Sequence, residues 1–188
     1  MITGILLAAG HSSRFGSNKL LQKLAGGMPV IAVTALKLKQ EVDHLIVVIK
    51  PGDDELKALL DTLEIETVSC EQSHLGMGHS IACGVARAPH ASAWLIALAD
   101  MPYIEADTFR TLANLMRTGV EIAAPLYENR RGHPVGFKQS YFDELVLLAG
   151  DEGARTIIER NRKKFRGFAC KDSGVVRDID TPEDVVIH

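Results

Sequence analysis

Residues 7–19, LAAGHSSRFGSNK, set two cations, Arg14 and Lys19, in a loop of small residues at the end of an apolar run. Gly10 and Gly16 let the backbone turn there and approach a ligand closely. Consecutive N–H groups in such a loop form an anion cradle, and Arg14 and Lys19 can add charge-assisted bonds to phosphate oxygens. Two acids stand where they could complete a phosphate site. Asp100, in LADMP, follows the apolar run Trp94–Ala99, and Asp180 lies in RDIDTPED. One or two carboxylates, completed by substrate phosphates and water, are what Mg²⁺ takes as ligands. Each feature also has a plainer reading. The loop could be a surface loop with two solvated cations, Asp100 a turn residue before Met101-Pro102, and Asp180 a helix N-cap in Asp-Thr-Pro-Glu. The pair of acids is more telling than either alone, since both follow apolar runs that read as strands.

Two common nucleotide motifs do not match. A P-loop needs GxxxxGK(S/T), and Lys19 does not follow a glycine; a dinucleotide fingerprint needs GxGxxG, and Gly10 has no glycine two residues on. No Ser/His/Asp or Cys/His arrangement is visible. His74 and His79 have neither the i,i+4 spacing of a zinc helix nor a cysteine partner, so no zinc site is expected.

The elements that must position these residues alternate. Ile2–Ala8, His44–Lys50, Ile65–Cys70, Trp94–Asp100, Glu121–Leu126 and Val175–Asp180 read as strands, with a short one at Gly136–Phe137. Val30–Lys39, Asp53–Leu63, Ser80–Ala86, Asp107–Thr118, Tyr141–Leu148 and Ala154–Arg160 read as helices, the first entered at Pro29. TPEDV is expected to start a last helical turn. Strands alternating with helices imply right-handed crossovers and an α/β fold, a mostly parallel sheet with helices on both faces. In such sheets ligands sit beyond the carboxyl ends of the strands, where the loop and both acids would meet.

Composition narrows the class. The 188 residues suit a single domain spanning 1–188. At 46% hydrophobic residues a sizeable core is possible, and a net charge of −3 leaves no electrostatic footprint for nucleic acid. The cations of the loop therefore serve something small. The three cysteines, Cys70, Cys83 and Cys170, show no CxxC pairing, so a reduced, cytoplasmic protein is expected. The first residues lack a charged n-region and the apolar run stops at Gly10, so neither a signal peptide nor a membrane span is expected.

LAAGHSSRFGSNK, GMGHS (Gly76–Ser80), LADMP, RGHPVGF (Arg131–Phe137), GDEGAR (Gly150–Arg155) and DIDTPED occur in an order and spacing that resemble the MobA-like nucleotidyltransferases. The match extends over nearly the whole chain, and the cytidylyltransferase type that acts on the molybdenum cofactor is the most similar branch. The resemblance implies a Rossmann-like three-layer sandwich of the nucleotide-diphospho-sugar transferase kind. It implies a nucleoside triphosphate with Mg²⁺, an acceptor phosphate attacking the α-phosphorus, and departure of pyrophosphate. Carried over by position, Leu7, Ala8, Ala9 and Gly10 lie beside the base and ribose. Arg14 and Lys19 hold the triphosphate and, with Asp100, form the catalytic set. Gly76, Gly78 and Ser80 belong to the nucleoside site, Asp100 and Asp180 to the metal, and Gly132, His133 and Pro134 to the acceptor. A molybdoenzyme or its chaperone is the partner implied. His11 and His79 depart from the pattern, standing where small or variable residues are common.

CTP is expected from Ala8-Ala9-Gly10. The related guanylyltransferases resemble Ala-Gly-Gly there, and the methyl of Ala9 narrows the wall on which a base would stack. Three other readings stay open: a nucleotidyltransferase on a sugar or polyol phosphate, a guanylyltransferase, and a nucleotide-binding regulator without turnover. The two acids argue against the last, because binding alone needs no metal pair.

Overall fold

The computed structural model describes residues 1–10, 18–151, 153–181 and 184. One sheet of eight strands runs through the molecule: β1 (Ile2–Leu7), β2 (His44–Ile49), β3 (Glu66–Ser69), β4 (Ala93–Leu98), β5 (Ile122–Tyr127), β6 (Arg130–Arg131), β7 (Val135–Lys138) and β8 (Phe165–Ala169). Its order is β3-β2-β1-β4-β7-β5-β6, with β8 beside β5. β3, β2, β1 and β4 run parallel, as does β8 with β5, while β7 lies antiparallel between β4 and β5. The sheet is thus mostly parallel, as the alternation of elements requires.

Helices cover both faces. Those long enough to matter are α1 (Val30–Lys39), α2 (Asp54–Thr62), α3 (Met77–Arg87) and α4 (Ala106–Arg117); α5 (Phe142–Val146) and α6 (Arg155–Arg160) are short. Period-two alternation in the central strands decides which side chain meets which layer. Leu6, Leu95 and Ala97 pack with Ile31, Leu38, Leu56, Phe109 and Leu112, from α1, α2 and α4. Ile5, Trp94 and Ile96 point the other way, to Ile81, Val85, Leu145 and Ile157 of α3, α5 and α6. β1 is buried along its whole length, which is why it reads as a continuous apolar run.

The structure corrects the sequence reading toward the carboxyl end. Val175–Asp180 is not a strand: Ser173–Val176 is a 3-10 turn, and the backbone bonds of this segment go to loops. His133 N–H donates to the Val175 carbonyl at 2.8 Å and Ile179 N–H to the Asp100 carbonyl at 2.9 Å. The strand that pairs with β5 instead is β8, FRGFA, which no apolar run announces because it is only half buried. Gly167 within it makes room for Leu126, whose side chain would meet a Cβ at 2.4 Å. β6 was likewise unannounced, and α3 begins at Met77, not Ser80, so that His79 lies on a helix. Of the turn expected in TPEDV, Pro182, Glu183 and Val185 lie outside the described residues.

Candidate active site

β1 and β4 are neighbours in the middle of the sheet, paired in register from Ile2↔Ala93 to Leu7↔Leu98. Their ends therefore reach the same level. The ladder continues past them through Ala8 N–H to the Val48 carbonyl (2.8 Å) and Ala99 N–H to the Leu7 carbonyl (3.0 Å). The buried Thr34 of α1 donates its hydroxyl to the Ala99 carbonyl at 3.1 Å. With Ile179 N–H bonded to its own carbonyl, Asp100 has a backbone tethered on both sides.

Lys19 reaches Asp100 from a separate segment. It begins a 3-10 turn, Lys19–Leu21, anchored by buried Leu20. Its ammonium donates to Asp100 Oδ2 at 2.7 Å and to the Ile179 carbonyl at 2.8 Å, and lies 3.8 Å from Asp180 Oδ1. The Lys19 and Asp100 side chains are 15% and 20% exposed, and Asp180 is 56% exposed. Asn18 caps the turn by accepting from Leu20 N–H at 3.3 Å, and its amide reaches Asp53 after β2. Three residues far apart in sequence, Lys19, Asp100 and Asp180, thus form one cluster.

A cleft of about 350 Å³ opens beside this cluster. Leu7, Ala9, Gly10, Gly76, Ser80 and Asp100 line it, so six of the residues expected there share one wall system. Ala8 and Gly78 do not line it. Ala8 packs into the α1 side of the core, opposite Ala9, as strand alternation demands. Gly78 is buried against Ala149, and its N–H donates to the Gly150 carbonyl at 2.8 Å. Arg14 and His11 lie outside the described residues. Ser73, His74, Met77, Leu98 and Asp151 also line the cleft and were not anticipated. Met77 lies in GMGHS, ahead of the helix expected from Ser80, and Asp151 arrives from the loop after α5.

A second compartment of about 270 Å³ adjoins the first and shares Met77, Leu98 and Asp151 with it. Arg131, Gly132 and His133 line it from RGHPVGF, and Gly153, Ala154 and Arg155 from GDEGAR. Two motifs some twenty residues apart therefore face one space. Pro134 is buried behind it, after a cis peptide bond. Burial, and next the neighbouring Arg131 charge, push His133 down to a pKa of about 4, with Asp178 opposing. The imidazole is neutral at pH 7, and its Nδ1 is buried without a hydrogen-bond partner among the described residues. Burial and then the Arg155 charge also lower Arg131. Two guanidinium groups at one mouth favour an anion there.

The carboxylates suit a divalent cation. Asp100, Asp180 and the Ile179 carbonyl are hard oxygen donors, and the Lys19 ammonium already stands among them as a cation. Among the described residues no cluster of three or more His, Cys, Asp or Glu could hold a metal by itself, so phosphates would have to complete the shell, as they do for Mg²⁺. His79, Cys70 and Cys83 face a different groove, beyond α3, where burial pushes the Cys83 thiol up to about 12. All three cysteines are free thiols. Among the described residues, no helix is long and apolar enough to cross a membrane.

Comparison with known proteins places these features in context. The profile of the MobA-like NTP transferase domain matches residues 4–165. The purine catabolism protein PucB of Bacillus subtilis is 31% identical over 195 aligned residues, covering 97% of this chain and 93% of PucB. The crystal structure of Rv0371c from Mycobacterium tuberculosis H37Rv superposes with a TM-score of 0.85 at 30% identity, covering 97% of this chain and 94% of that one. The same protein in complex with manganese gives a TM-score of 0.80 at 27% identity, covering 97% and 95% of the two chains.

Proposed function

Because the chain belongs to the MobA-like NTP transferase family and is a nucleotidyltransferase, we propose that it transfers CMP from CTP to the terminal phosphate of a molybdopterin-type cofactor. It acts as a single cytoplasmic domain with Mg²⁺ and releases pyrophosphate. The observation that carries this reading is the convergence of Lys19, Asp100 and Asp180 at a cleft lined by Ala9 and Gly10 and joined to a second compartment with two arginines.

Two anions must meet, and the chain's own groups lower that cost. An oxygen of the acceptor phosphate attacks the α-phosphorus, the bond from that phosphorus to the bridging oxygen breaks, and pyrophosphate leaves with the electron pair. A phosphate monoester is largely ionised at neutral pH, so no general base is needed. Lys19, with Arg14 five residues before it in the sequence, meets charge growing on the leaving group. Asp100 and Asp180 would hold Mg²⁺, which when bound would supply further positive charge at the triphosphate. Arg131 and Arg155 hold the acceptor's anionic end, and neutral His133 offers a hydrogen bond, not a charge. Positioning and electrostatics then provide most of the rate. The manganese complex of Rv0371c supports a divalent metal in a relative of this kind.

CTP is favoured over GTP by Ala9, a residue 2% exposed that lines the cleft. One methyl in such a wall is worth roughly 1–3 kcal/mol, a strong preference but not an absolute one. The test is competition between equal CTP and GTP with Mg²⁺ and a molybdopterin-type acceptor, scoring dinucleotide product and pyrophosphate. Cytidylylated product is expected. Predominant guanylylated product overturns the choice of nucleotide, and turnover confined to a sugar phosphate overturns the acceptor.

A further inference from the structure

Asp53 stands outside the cluster, yet the structure ties it to Lys19. It occupies the N-cap position of α2, where an aspartate side chain ordinarily accepts from first-turn N–H groups, and it makes no such bond. Both of its carboxylate oxygens instead accept from the amide of Asn18, at 3.2 Å each. The Asp53 side chain is only 8% exposed, with the Lys50 ammonium at 3.8 Å. A carboxylate can only accept, so it selects the amide orientation that turns Asn18 Oδ1 away from it. In that orientation Oδ1 accepts from Leu20 N–H and closes the turn. Lys19 sits between the two residues so bonded. Its long stem is otherwise free to choose among many rotamers.

We propose that Asp53 is a positioning residue for nucleotidyl transfer: through Asn18 it fixes the turn that aims Lys19 at Asp100 and Asp180. This rests on the reading that Lys19 and the two carboxylates serve the triphosphate and its metal. In the ligand-free protein Lys19 competes with a divalent cation for the same oxygens. Loosening the turn therefore releases Lys19 and frees the carboxylates, which gives a sign that a simple charge effect cannot produce. Deleting a nearby carboxylate should by itself weaken cation binding. Deleting Asp53 as a positioning residue should strengthen it.

The experiment measures Mn²⁺ binding without nucleotide, by the electron paramagnetic resonance of free Mn²⁺, alongside pyrophosphate release. Lys19→Met is expected to tighten Mn²⁺ roughly tenfold and Asp53→Ala roughly threefold to tenfold, in line with loss of a partly buried cation from its partners. Asp53→Ala should add nothing in the Lys19→Met background. Asp53→Asn, which keeps the shape and one acceptor, should move the affinity the same way by less and covers the case in which the alanine variant does not fold. The exchange Asn18→Asp with Asp53→Asn should return Mn²⁺ affinity to wild type, since the new amide at 53 donates to a carboxylate that still accepts from Leu20. In turnover, Asp53→Ala should lower kcat about tenfold with the nucleotide KM within about twofold. Unchanged or weaker Mn²⁺ binding in both Asp53 variants overturns the proposal, as does an equal effect with and without Lys19, or failure of the exchange to restore affinity. If Lys19→Met neither tightens Mn²⁺ nor loses turnover, the role given to Lys19 under the proposed function falls, and the positioning role with it. If Lys19→Met does both while Asp53→Ala behaves as wild type, only the positioning role falls.

Discussion

Asp100 shows how little freedom the reacting end of the molecule has. Its neighbour Ala99 is bonded to β1 through its N–H and to Thr34 through its carbonyl, and Ile179 holds its own carbonyl. Asp100→Asn should therefore fold as the wild type does, because none of those bonds uses the Asp100 side chain. Its turnover should drop at least ~100-fold, because an amide is a poor ligand for a hard cation. Pyrophosphate release together with a thermal melt checks both halves, and turnover within a few-fold of wild type would leave Asp100 a turn residue. His133 offers a different residue-scale test. Its folded pKa is about 4 against an ordinary 6.5, so the folded state disfavours the charged form. Above 6.5 the ring is neutral in both states and this contribution to stability is fully present. Between 6.5 and 4 the unfolded chain takes up a proton that the folded chain refuses, and stability falls as the pH falls. The urea midpoint should decline from pH 7 to pH 5, and His133→Gln should reduce that decline. An equal decline in the variant would exclude the histidine as its source.

At the scale of elements, the start of α3 is built around the loop after α5. Gly76 has a φ of +125°, and a Cβ on it would stand 2.4 Å from the Gly150 carbonyl group. A Cβ on Gly78 would stand 2.7 Å from the Ala149 oxygen. The resemblance implies that both glycines belong to the nucleoside site, and the atoms packed against each of them are the protein's own backbone. Gly76→Ala should accordingly destabilise by about 2–4 kcal/mol, since it combines backbone strain with a backbone clash. Gly10→Ala, whose added methyl meets nothing within 4 Å among the described residues, should stay within about 0.5 kcal/mol of wild type. Urea denaturation of the two variants side by side decides the matter. A small loss for Gly76→Ala would mean that the loop yields easily.

Over the whole molecule, the carboxyl-terminal segment is what closes the site, and Asp172 docks it. One carboxylate oxygen of this buried residue accepts from Glu105 N–H at 2.8 Å and from the Thr108 hydroxyl at 2.6 Å, capping α4 from a distance of more than sixty residues. The other accepts from Gly174 N–H at 2.9 Å. The same segment then places Ile179 and Asp180 against Lys19. Asp172→Ala leaves buried donors unpaired and should cost about 2–4 kcal/mol. It should also lower turnover per folded molecule, because Asp180 loses its mooring. Calorimetry with an activity assay on the folded fraction measures the two effects; full turnover in a destabilised variant would show that Asp180 is held by other contacts.

The chain's own sequence determined the layered α/β architecture, because buried parallel strands must be apolar throughout and their helices must show a face. It also pointed to Lys19, Asp100 and Asp180 as the residues to watch, since a loop of small residues with cations and acids that follow apolar runs stand out, although the run before Asp180 folds as a 3-10 turn and not as a strand. Only the tertiary structure decided that Lys19 rests between the two acids, that Ala9 and not Ala8 faces the cleft, and that RGHPVGF and GDEGAR share a compartment. Those facts depend on strand register and on contacts between segments far apart in sequence, which no local spacing encodes. The same holds for β8 and for Asp53. A half-buried edge strand needs no apolar run, and a cap that serves another segment looks, in sequence, like a cap for its own helix.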